Sequence, residues 1–205
     1  MPFPTTNATK ELPAINQILS SCGQAPVTTL DTTNPDVAIV YDTLLQVNRE
    51  VQAEGWTFNI EKHVEFTPDS SKHINITNDI IQLTLTKNSA NMEYDVIRKN
   101  GRLYDKRYHT DEWDNKVECD VVREFEWVDL PQPIQDFIVA RAATLVSQRI
   151  VGDSSQYQML QQQEAYLRAL ALEYETQQGK YSFFGHPEGE TNTYQGYQPF
   201  QVLRR

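Results

Sequence analysis

LPQPIQDFIVARAATLVSQRIVGDSSQYQMLQQQEAYLRALALEYETQQG, residues 130–179, reads as two long helices joined by almost nothing. Pro131 and Pro133 stand at the entrance of the first, where a missing amide hydrogen costs nothing because first-turn amides have no helical partner. From about Ile134 to Ile150, the residues Ile134, Phe137, Ile138, Ala142 and Leu145 recur at three- and four-residue steps. That spacing puts them on one face, which must be buried. Gly152 ends this helix, Asp153 caps the next, and Gln156 three residues on completes a capping box. In the second helix Tyr157, Leu160, Leu167, Leu170, Ala171 and Tyr174 form an apolar stripe interrupted at Glu164, and Gly179 stops it. So short a turn makes the two helices antiparallel neighbours.

This hairpin needs helical mates, and the N-terminal part of the chain supplies them. After a polar arm, Met1 to Lys10, a short helix spans Leu12 to Cys22 with Ile15, Ile18 and Leu19 on one side, Pro13 near its start and Gly23 past its end. Asn34-Pro35-Asp36 then opens a helix running to Glu54. Val37, Val40, Leu44, Val47 and Val51 form a narrow seam in it, flanked by Tyr41 and Asn48, and Gly55 closes it.

At Trp56 the period falls from about 3.6 to 2. Trp56, Phe58, Ile60, Val64 and Phe66 alternate with polar residues, with Lys62 as the polar member of the inward set. His73 to Ile76 and Ile80 to Thr86 are further strands, the latter with Ile81, Leu83 and Leu85 on one face. A longer hairpin loop is expected at residues 87–91, and Asn100-Gly101 accepts the positive φ of a type I′ turn. Tyr108 to Val117 reads as an acidic, irregular solvent-facing edge, and Cys119, Val121, Phe125 and Trp127 alternate in a closing strand with Arg123 among them. The expected class is therefore α+β. An antiparallel helical bundle (1–55 and 129–179) carries an inserted antiparallel β domain (56–128), followed by an extended C-terminal arm (180–205).

The arm has no helical or strand period, yet Tyr181, Phe183, Phe184, Tyr194, Tyr197 and Phe200 lie among its Gly, Pro and Gln residues. Aromatics are depleted in solvated disordered tails and enriched at interfaces, so these six are the candidate contacts with a neighbouring subunit.

A formal charge of −10 over 205 residues argues against a sequence-independent nucleic-acid binder, whose affinity comes from Lys and Arg on phosphates. No apolar run approaches the ~20 residues that span a bilayer, and MPFPTTNATK lacks the basic start and apolar centre of a signal peptide. Folding in a cytosol without membrane contact is expected. Cys22 and Cys119 are too few and too far apart for a disulfide framework or a zinc site and read as small core residues.

Chemistry is sparse. His63, His73, His109 and His186 show no metal-binding spacing, and Asp111, Glu112, Asp114, Glu118 and Asp120 lack the glycine and ligand order of a calcium loop. Glu124 and Glu126 fall on one face of the closing strand, the one arrangement that suggests glycoside hydrolysis and with it a polysaccharide-degrading enzyme. Charged residues also alternate this way on any half-exposed strand. There is no Gly-rich phosphate loop, no nucleophile motif and hence no catalytic, cofactor or metal site to name. Arg141 and Arg149, at the apolar face of the first hairpin helix, call for carboxylate partners if buried, with Glu50, Glu173 and Glu175 available.

Several blocks resemble one family: NQILSSCGQAPVTTLDTTNPDVAIVYDTLLQVNREVQAEGWTFN (16–59), RKNGRLYD (98–105), DLPQPIQDFIVARAA (129–143), RIVGD (149–153), and the endings FFGHPEG and YQPFQVL. They are similar to the tail tubular protein A family of T7-like, short-tailed bacteriophages. The resemblance implies a structural, non-enzymatic adaptor in the virion tail, assembled in the host cytoplasm. It further implies a homo-oligomeric ring of about twelve subunits that docks under the portal protein, receives the nozzle (tail tubular protein B) and helps seat the tail fibre. Double-stranded DNA then passes through its centre during ejection without specific binding. A chain of negative charge suits such a conduit, since it avoids phosphate attraction.

Overall fold

The computed structural model describes residues 8–86 and 94–179. In chain order the elements are α1 (Ala8–Ser21), α2 (Pro35–Ala53), β1 (Ile60–Phe66), β2 (Ile80–Leu85), β3 (Val96–Lys99), β4 (Arg102–Asp105), β5 (Val117–Arg123), a 3₁₀ turn (Trp127–Asp129), α3 (Gln132–Ile150) and α4 (Ser154–Gln178). The protein is α+β, with helices at both ends of the described residues and small antiparallel sheets between them.

α3 is the hub of the helical part. It packs on α1, α2 and α4, and Ile134, Phe137, Ile138, Ala142 and Val146 are fully buried. Burial is wider than the single expected face, since Val139, Ala140, Ala143, Thr144 and Ser147 are buried too, while Leu145 is half-buried. The small residues at 140, 142 and 143 let neighbours approach on several sides. The α2 seam is buried as its spacing requires, and Asn34 caps the helix by accepting from Asp36 N at 3.0 Å. α1 begins at Ala8, a turn earlier than expected, so Pro13 lies inside it.

Two apolar clusters divide the interior. One joins α1, α2, α3, Ala171, Trp56 and Trp127. The other joins Ile74, Ile76, Ile80, Val96, Leu103, Trp113, Val117, Cys119 and Val121. β5 is the central strand of the sheet β1-β5-β2, both pairs being antiparallel, and β3-β4 is a separate hairpin. Asn100 (φ 53°) and Gly101 (φ 74°) make its turn, as the Asn-Gly pair predicts.

Four expectations for this region are corrected. Trp56 to Asn59 is a turn, with β1 starting only at Ile60, because Trp56 is anchored in the helical core by its indole N–H donating to Val51 O at 2.7 Å. β1 then bulges at His63 (φ 59°), which breaks the alternation and leaves Lys62 exposed. His73 to Ile76 is held by two isolated bridges, His73 to Glu112 and Asn75 to Arg102, in place of a continuous strand. β5 ends at Arg123, and Trp127 turns back into the helical core. The expected edge at 108–117 also contributes to the interior: Trp113 is buried and donates to Leu103 O at 3.0 Å. The loop expected at 87–91 lies outside the described residues.

Candidate assembly surface

α4 is capped by Asp153, whose carboxylate accepts from Ser155 N and Ser155 Oγ, each at 3.0 Å. The expected capping box does not form; Gln156 instead donates through Nε2 to Ser21 O, tying the start of α4 to the end of α1. Three further contacts hold the inward side of α4. Arg168 pairs with Glu54 at 3.1 Å and lies 5.4 Å from the Phe137 ring centroid. The Glu175 carboxylate accepts from Thr57 N at 2.9 Å, and Ala171 is buried against the helical core.

Beyond that line α4 is open. Of its 25 residues only Ala171 is buried. Tyr157, Leu160, Leu167 and Tyr174 are half-buried, so the expected stripe is covered only in part, and Leu170 is exposed. Met159 (65 % exposed), Tyr166 (64 %) and Leu172 (47 %) stand in solvent. At 100° per residue, Met159, Tyr166 and Leu170 fall within about 40° of one another on one flank of the helix. Leu172 lies on the opposite flank. Residues 154–163, SSQYQMLQQQ, carry no charge at all, in a chain of net charge −10. α4 thus carries an exposed apolar flank next to an uncharged segment, the kind of surface on which partner contacts are found. The run of neutral glutamines was the sequence signal for it.

The residues weighed for chemistry do not converge. Glu124 and Glu126 lie past the end of β5, where Glu124 faces Arg49 at 3.9 Å and Glu126 precedes the 3₁₀ turn, so the shared strand face expected of them is absent. Arg141 does find Glu50, at 3.3 Å, but Arg149 donates to Thr43 Oγ1 at 2.9 Å, and the two arginines fit structural roles. His63 and His109 are exposed, and His73 hydrogen-bonds Asp111 O at 3.1 Å. Among the described residues no three His, Cys, Asp or Glu side chains are grouped as a metal site, and no helix is long and apolar enough to cross a membrane. Both cysteines are buried, and burial pushes the Cys119 thiol up to about 12, with Asp120 adding to it. The six candidate interface aromatics, Tyr181, Phe183, Phe184, Tyr194, Tyr197 and Phe200, and His186 lie outside the described residues.

The helical and β parts are joined by a polar clasp. Gln52 Nε2 donates to Asn48 Oδ1 at 3.0 Å and to Phe125 O at 3.1 Å, while its Oε1 accepts from Phe125 N at 2.7 Å. Asn59 donates to Gln52 O at 2.9 Å and Arg123 O at 3.1 Å, and accepts from Trp56 N at 2.7 Å. Entry to and exit from the β part are thus fixed to α2 at one place, which sets where the β surface sits relative to α4.

A family profile described as "Tail tubular protein" matches residues 12–181, which takes in α1 from Leu12 onward, the other three helices and both sheets. The chain is also 24 % identical over 163 residues to Tail tubular protein A of Klebsiella phage KP34, a match covering 80 % of this chain and 85 % of that protein. The extent of the profile match settles membership: the chain belongs to the tail tubular protein family, as a structural, non-enzymatic component of a phage tail.

Proposed function

We propose that the protein is the adaptor of a short phage tail: a ring of about twelve copies that docks under the portal, receives the nozzle protein and helps seat the tail fibre while DNA passes through. Assembly takes place in the host cytoplasm and the ring ends in the virion tail. In this reading residues 1–55 and 129–179 form the ring-building body, 56–128 the inserted β domain, and 180–205 the arm whose six aromatics contact a neighbouring subunit or the portal.

The observation that carries the reading is α4. Its uncharged flank with Met159, Tyr166 and Leu170 exposed has no partner within the described residues of the chain. A chain of net charge −10 repels its own copies over most of its surface, so an uncharged apolar strip is where copies can approach. The same negative balance supports a passage that DNA traverses without sticking.

Electron micrographs of the purified protein, alone and mixed with portal rings, test this directly. Rings seated on the portal are expected, and monomers that leave the portal bare under all conditions defeat the reading. A variant lacking residues 180–205 should stay folded and fail to co-sediment with portal rings. Wild-type co-sedimentation of that variant removes the arm from the interface.

A further inference from the structure

Beside the β3-β4 hairpin lies a cavity of about 280 Å³ walled by Tyr94, Asp105, Tyr108, Thr110, Glu112 and Trp113. The aromatic side is tightly fixed. Tyr94 packs edge-on against Trp113 with centroids 5.2 Å apart and against Tyr108 at 5.9 Å. Trp113 is held in place by its indole bond to Leu103 O.

Asp105 is the unusual member. It is 1 % exposed, and its Oδ1 is fully occupied, accepting from Arg107 N at 2.8 Å and Asp95 N at 3.1 Å. Those two amides fix the plane of the carboxylate. Its Oδ2 is buried with no hydrogen-bond partner. Leaving a carboxylate oxygen without water or donor is costly, so a donor arriving from elsewhere that pairs with it removes that cost. Glu112 adds negative charge at the exposed rim, whereas Asp114 beside it is engaged by Lys72 at 2.7 Å. The Tyr108 ring already has the Arg107 guanidinium 5.9 Å from its centroid, so cation and ring are compatible here.

We propose that this cavity receives a guanidinium group, the end of an arginine side chain presented by a partner protein. One N–H reaches Asp105 Oδ2, the planar cation lies along the tyrosine wall, and Glu112 balances its charge. The size fits that occupant: the cavity falls below the roughly 300–1,000 Å³ of pockets that enclose whole small molecules. A sugar fits less well, since Trp113 is 5 % exposed and offers no open ring face for stacking.

The test is calorimetric titration of the full-length protein with Nα-acetyl-arginine amide, with its neutral isostere Nα-acetyl-citrulline amide as control. Saturable binding of the arginine probe is expected, weakening with added salt and absent for citrulline. Asp105→Asn should lower the affinity about tenfold, the usual effect of losing one charge-assisted hydrogen bond. Tyr108→Ala and Glu112→Gln, both at exposed positions, should each lower it severalfold with an unchanged thermal midpoint. These two carry the test if Asp105→Asn does not fold. No saturable heat with the arginine probe, equal binding of citrulline, or full affinity in both exposed variants overturns the proposal, as does saturable binding of maltose in its place.

Discussion

Gln52 and Phe125 are paired through both ends of one side-chain amide: Oε1 accepts from Phe125 N at 2.7 Å and Nε2 donates to Phe125 O at 3.1 Å. Gln52 is wholly buried on α2, and Phe125 lies just past β5, 73 residues on. The side chain thus does for Phe125 what a neighbouring strand would do, satisfying both backbone groups where the chain leaves the sheet and heads back to the helices.

Removing that amide leaves the Phe125 N–H and C=O without partners in a place water reaches poorly. Gln52→Ala should lower unfolding free energy by about 2–4 kcal/mol. Gln46→Ala, which loses only an exposed side-chain bond to Glu50, should change it by less than about 0.5 kcal/mol. Urea unfolding of the two variants beside wild type decides it.

Burial separates α3 from α4 in the same kind of experiment. Phe137→Ala empties a fully buried site and should cost about 3–5 kcal/mol. Met159→Glu with Tyr166→Glu should leave stability within about 1 kcal/mol, since both side chains are in solvent in the subunit. Light scattering on the double variant should nevertheless show smaller assemblies than wild type at equal concentration.

Glu11 gives a pH dependence. Burial raises its pKa, opposed by the Tyr41 hydroxyl and reinforced by Glu126. Burial also raises the Tyr41 hydroxyl, to about 12, with nearby Glu11 adding to it. A carboxyl whose folded pKa lies above its unfolded value stabilises the fold fully below the unfolded pKa, near 4.5, and that contribution is lost as pH rises through the folded value. Glu11→Gln does not titrate. Its urea midpoint relative to wild type should therefore rise as pH increases from about 4 and level off once pH has passed the folded value; a difference that shrinks as pH rises contradicts the assignment.

Cys119 follows the same sign at higher pH. With the thiol pushed up to about 12, its contribution is complete below the unfolded value near 9 and is lost between 9 and 12. At pH 8 iodoacetamide should therefore leave Cys119 unmodified in the native protein and label it once urea unfolds the chain, as read by mass spectrometry.

The helices were legible because each is marked locally. Asn34-Pro35 opens α2, Asp153 opens α4, and three- and four-residue spacing identifies the buried faces of α2 and α3. The β part was legible where a turn type is dictated by its residues, as at Asn100-Gly101, and less so where alternation alone was the guide. Trp56 and Trp127 alternate with strand residues on either side yet belong to the helical core, and the bulge at His63 has no local marker. Gln156 and Glu175 could be placed on α4 by their numbers, but their partners Ser21 and Thr57 are 135 and 118 residues away.

The sequence by itself determined the α+β class, the antiparallel α3-α4 hairpin and the β insertion between the helices, because helix caps, side-chain periods and turn residues act over a few positions and survive without knowledge of the rest; the family followed from the likeness of whole blocks of sequence. Only the tertiary structure decided which apolar faces are covered. α3 is surrounded and α4 is not, though both read as amphipathic helices, since burial depends on how many other elements arrive at a face. The same holds for Asp105: its number placed it at the end of a hairpin strand, and only the folding of 94–113 around it left one carboxylate oxygen buried and unpaired.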